Sequence, residues 1–160
     1  MKIPFSSLPV SPDSAFPTRT ELKRPIVALL LVRGDIRVIV YAVVDSGADV
    51  CVFPASVAHD LGINFSDQGT SAFSGSGNST QTAWFEEIQA TILPMEAPHI
   101  EPNQEPLAFL LYAGFCETME HIGMGLLGQE GLFSRFAVNF HYGQNYFEIQ
   151  SPDAPDIRSN

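Results

Sequence analysis

The residues best suited to chemistry lie in the run Val43-Val44-Asp45-Ser46-Gly47-Ala48-Asp49, which packs two carboxylates and a hydroxyl into one short loop. The run behind it, Val38-Ile39-Val40-Tyr41-Ala42-Val43-Val44, is β-branched and almost unbroken, the pattern of a buried strand. Such a strand delivers Asp45 to a Ser-Gly turn where other backbone can come close and the carboxylate sits in a poorly solvated place. A carboxylate held at the end of a buried strand is costly unless it is used, so Asp45 is the candidate acid.

Other elements must hold that loop. Ile26–Val32 and Ile36–Val44 read as strands joined by an Arg33-Gly34-Asp35 turn. Val50–Phe53 reads as a short strand, and Pro54–Leu61 as a short helix with proline in its first turn and Gly62 as its stop. Gly69 to Leu93 is a second hairpin, its tip Ser74–Ser79 too rich in glycine and serine to pack. Residues 94–106 carry four prolines and read as a loop or insertion. Leu107–Phe115 is a strand, Leu126-Leu127-Gly128 leads into a brief helix near Gln129–Ser134, and Phe136–Phe140 with Tyr146–Ile149 makes a last hairpin. The expected organisation is an extended proline-rich arm over 1–20, a single domain over 21–150 and a loose tail over 151–160. Many short strands with one or two short helices predict an all-β fold.

Composition narrows the functions. At 160 residues and 45% apolar, the chain is long and greasy enough for one real core. A formal charge of −10 argues against nucleic acid and against an anionic membrane surface as partner. Ile26–Val32 is too short to span a bilayer and is followed at once by Arg33, Asp35 and Arg37. The start leads into prolines rather than an apolar signal segment, so a cytoplasmic location is expected. Two cysteines make neither a disulfide scaffold nor a zinc site, and Cys51, between two valines, reads as a small buried hydrophobe. The four histidines show no ligand spacing, so no metal or organic cofactor is expected. Gly123-Met124-Gly125-Leu126-Leu127-Gly128 satisfies G-x-G-x-x-G, with Glu148 20 residues beyond. A dinucleotide site needs a strand before that motif and a long helix after it, and neither is predicted.

An apolar run, Asp-Ser-Gly-Ala-Asp at 45–49, a Gly75-Ser76-Gly77 hairpin tip and a later Leu126-Leu127-Gly128 occur in an order that resembles the retropepsin-like aspartic proteases, over roughly residues 25–150. The resemblance implies a closed β-barrel that is half of an acid protease, with a flap hairpin. It implies Asp45, Ser46 and Gly47 as the catalytic set, Ser46 bracing one loop against its partner's. It implies Ala48, Asp49, Gly75, Ser76, Gly77 and Leu127 as substrate-facing. One chain carries a single Asp-Ser-Gly, so the activity implied is that of a homodimer hydrolysing a peptide or protein by a water held between two Asp45 carboxylates. Many viral relatives have arginine directly after the supporting glycine, bracing the acid that is Asp49 here. This chain has Gln129, which leaves Arg135 or Arg37 to do so. The alternative function is a non-catalytic dimeric module of the same fold that holds a peptide or scaffolds a partner.

Overall fold

The computed structural model describes residues 1–65, 70–74, 80–97, 100 and 103–151. In chain order its strands are β1 (Lys2–Pro4), β2 (Ser6–Pro9), β3 (Glu21–Arg24), β4 (Ile26–Arg33), β5 (Ile36–Val44) and β6 (Cys51–Pro54). A short helix α1 (Ala55–Asp60) precedes β7 (Thr70–Ser74), β8 (Thr80–Leu93), β9 (Leu107–Cys116), β10 (Gly125–Leu127), β11 (Ala137–His141) and β12 (Tyr146–Gln150). The class is all-β. No helix among the described residues is long and apolar enough to cross a membrane.

The period-2 pattern read from the sequence becomes the wall of a barrel. Val27, Leu29 and Leu31 of β4 are fully buried while Ala28 and Leu30 are only half so, as expected of alternate residues on a curved sheet. β4 pairs antiparallel with β5, β5 runs parallel to β10, and β10 is antiparallel to β6. β6 is parallel to β9, β9 antiparallel to β8, and β8 returns to β4, with Ile92 opposite Leu29. Those six strands close, which leaves no barrel edge with unpaired backbone. Ala42, Val44, Ile88, Ala90, Leu111 and Leu127 are among the side chains that fill the interior. α1 covers one side with Val57 and Ala58, and Gly62 ends that element at φ +66°.

β8 outruns the barrel. Thr80–Ala83 pair only with β7, Ser74 opposite Thr80 and Ser71 opposite Ala83, while Trp84 already pairs with Phe115 of β9, so the ends of the two strands project as a hairpin beyond the closed sheet. The segment expected as a brief helix near Gln129–Ser134 is a run of turns instead. Gly131 stands there at φ +130°, outside helical space.

The proline-rich start is extended and also paired. β1 lies antiparallel on β12, and β12 on β11, a second sheet that joins the two ends of the described chain. Ile3 is fully buried and Phe5 nearly so, the latter packed on Phe147 at 5.5 Å between ring centres. The outer edge of β1 is covered by Gln104, whose side-chain amide accepts from the Lys2 N–H and donates to the Lys2 carbonyl. Glu148, 3% exposed, is held between Lys2 (3.8 Å), His141 Nε2 (3.6 Å) and the Gln150 amide (3.1 Å). Such a buried acid is tolerable because it is paired. Removing Ile3 in Ile3→Ala is expected to cost about 2–4 kcal/mol in chemical denaturation. A loss under about 0.5 kcal/mol would show that β1 contributes nothing to the core.

Candidate active site

β5 ends at Val44, and the next N–H, that of Asp45, donates to the Leu127 carbonyl at 3.0 Å. The parallel seam between β5 and β10 thus continues one residue past the strand and sets the origin of the loop. Ala48 N–H closes the turn onto the Asp45 carbonyl at 3.2 Å. Gly47 N–H donates to the Asp45 carboxylate, Oδ1, at 2.9 Å. A Cβ at position 47 would lie 3.2 Å from that oxygen, so glycine keeps the carboxylate uncrowded. Asp45 is half-buried, while Ser46 and Gly47 are exposed. In the single chain the acid is therefore not sealed from water.

Behind the loop, the segment after β10 makes a backing layer. Gln129 N–H donates to the Ala48 carbonyl and Glu130 N–H to the Asp49 carbonyl, both at 2.8 Å. Gln129 adds a side-chain bond, Nε2 to the Ser46 carbonyl at 3.0 Å. Gly128 makes this approach possible. A Cβ there would sit 2.4 Å from the Val50 carbonyl oxygen and 2.6 Å from that of Ala48, inside any real contact distance. Cys51 fills the space beneath: its Sγ accepts from Gly128 N–H at 3.2 Å and lies 3.4 Å from the Glu130 carbonyl. Burial raises the thiol above its usual 9.0, so it is a neutral packing group at physiological pH, as its valine neighbours suggested.

The structure brings Asp45, Ser46, Gly47, Ala48 and Asp49 together in one loop and puts Leu126–Gly128 directly behind them. Leu127 is a correction to the expected substrate-facing set. It is fully buried, opposite Val44 in the barrel interior, and meets the loop only through its backbone. Alternation along β10 turns Leu126 the other way, opposite Val52 and onto the smaller cluster of Val52, Ala83, Cys116 and Met119. Gly75, Ser76 and Gly77 lie outside the described residues. Of the two aromatics after that tip, Trp84 stacks on Phe65 at 4.2 Å and Phe85 on Tyr112 at 5.4 Å, both half-buried.

Neither Arg37 nor Arg135 braces Asp49. Both are exposed, and among the described residues no cation lies within ion-pair distance of Asp45 or Asp49. The sequence contained no signal for the bond from Gln129 to Ser46, since nothing in spacing says that the Gln129 side chain lies across that residue. Beside that bond is a hollow of about 460 Å³ bounded by Ser46, Gln129, Glu130, Phe133 and Ser134. The glycine motif at 123–128 has a strand, β10, inside it and turns after it, which removes the dinucleotide reading. Among the described residues no three acidic, histidine or cysteine side chains gather as a metal would require.

No protein-family model matches the chain, and no curated protein is similar to it. What the site offers is its own geometry: an acid presented at the mouth of a closed barrel, on a loop whose backbone is fixed from behind. Gly128→Ala is expected to lose about 3 kcal/mol of stability and to shift the amide resonances of Ala48–Val50. An unchanged melting temperature with unchanged resonances would contradict the close approach.

Proposed function

We propose that two copies of this chain make a homodimeric aspartic endopeptidase of the retropepsin kind. The observation that carries this reading is the setting of Asp45: a half-buried carboxylate at the end of a barrel strand, in a Ser-Gly turn, hydrogen-bonded by Gly47 and backed by Leu127-Gly128. A lone carboxylate in such a place activates water poorly. Two brought together at a two-fold axis cannot both ionise, so one keeps a proton. The ionised member takes a proton from water as the water oxygen attacks the peptide carbonyl carbon. The protonated member donates to the developing oxyanion, and a proton then passes to the departing amine. The pair titrates as a unit. The substrate would lie as an extended strand between the β7–β8 hairpin and the loop, its main chain hydrogen-bonded and its side chains in pockets.

The rival reading is a dimer of the same fold that holds a peptide without turnover, favoured by the absence, among the described residues, of a cation on Asp49. Cleavage of a diverse peptide pool at about pH 4 to 7 separates the two. Defined cuts that fall by about 100- to 10,000-fold in Asp45→Asn, with the dimer intact, are expected. Full activity in the mutant sinks the mechanism, and no cuts from a folded dimer leave the peptide-holding module.

Dimerisation carries its own electrostatic signature. Joining two chains of −10 each concentrates −20 in one particle, and like charges oppose close association unless screened or protonated. The dimer is expected to tighten as pH falls from about 8 to 4.5 and as salt is added. Sedimentation that shows no shift under either change would discard this view.

A further inference from the structure

We propose that Gln129 is the positioning residue of the candidate site, setting the Asp45 carboxylate by way of the Ser46–Gly47 peptide. Its kinetic consequence rests on the peptidase reading, whereas its effect on the loop does not. The Ser46 carbonyl and the Gly47 N–H belong to one planar peptide unit. Gln129 Nε2 holds the oxygen end at 3.0 Å, and the N–H end holds Asp45 Oδ1 at 2.9 Å. Because the unit is planar, fixing its oxygen fixes the direction in which its N–H points. Donation into the carbonyl also polarises the unit and strengthens the bond made by its N–H.

Nothing else on the loop does this work. Residue 47 is a glycine, the residue with the widest freedom of backbone rotation. Among the described residues no cation reaches the Asp45 carboxylate. Gln129 is itself anchored, since its backbone N–H donates to the Ala48 carbonyl at 2.8 Å, so its side-chain amide starts from a fixed point two residues along the same loop. The amide therefore links the backing layer to the reacting group through a single peptide.

The test compares Gln129→Glu, which keeps the shape and loses the N–H donor, with Gln129→Lys, which keeps a donor. Gln129 is exposed, so both variants should fold. In Gln129→Glu, the Gly47 amide is expected to exchange with deuterium about tenfold faster, and kcat on a peptide from the pool to fall about tenfold. KM and the dimer constant should stay unchanged. Gln129→Lys is expected to recover most of both losses. Wild-type exchange in Gln129→Glu overturns the proposal, as does a loss that Gln129→Lys fails to rescue. Should the wild-type protein cut no peptide, the exchange rates still decide the role of Gln129, and the failure falls on the peptidase reading alone.

Discussion

The front of this molecule depends on one close approach. Gly128 lies so near the carbonyl oxygens of Val50 and Ala48, 2.4 and 2.6 Å from where a Cβ would be, that the chain on either side can interlock only if residue 128 has no side chain. With that contact made, the N–H groups of Gln129 and Glu130 reach the Ala48 and Asp49 carbonyls, and Asp45 N–H reaches Leu127. Each bond alone contributes only about 1 kcal/mol. Together they hold a loop of small, mostly polar residues, because both β5 and β10 are built into a closed barrel that cannot shear easily.

The same exchange of glycine for a bulky neighbour recurs around β6, the short strand that follows the loop. The Phe53 ring lies against Gly125, where a Cβ would be 2.4 Å from it. Cys51 Sγ lies against Gly131, where the distance would be 2.6 Å. On β9, the pair partner of β6, Gly114 lies under the Phe85 ring, where a Cβ would be 3.0 Å from it. A four-residue strand buried on every side cannot gain its place from length. It gains it from large side chains set into gaps that glycines leave, at the interior density that tolerates no voids. The loop ahead of β6 inherits that rigidity.

These features differ in how far they could be read from the chain. The Asp45 loop was legible because an unbroken β-branched run ending in Ser-Gly has few other meanings, and the long strands were legible from period 2. β1 was not. Three residues ending in proline give no period, and their partner, β12, lies some 140 residues away, beyond the reach of any local pattern. The facing of Leu127 is illegible for a related reason: a three-residue strand can face either way, and only its register opposite Val44 shows that Leu126, not Leu127, turns outward. The turns at 129–134 have a helix-like sequence, and what sets them apart is Gly131 at φ +130°, a conformation the sequence does not print. Gln129 was visible only as a departure from a pattern, since the replacement bond joins a side chain to a carbonyl, and carbonyls carry no sequence signature.

A neutral brace of this kind suits a strongly acidic chain. An arginine reaching a carboxylate ties the loop to an ionisable group, so the brace weakens as the carboxylate gains a proton. The mildly acidic range, which would relieve repulsion between two chains of −10 each, would then loosen such a loop while it favoured the proposed dimer. An amide donating to a peptide carbonyl joins two groups that stay neutral across that range. The bond from Gln129 to Ser46 therefore separates loop geometry from ionisation. In the proposed dimer, conditions that bring two Asp45 loops together would leave each loop in the shape the barrel gave it.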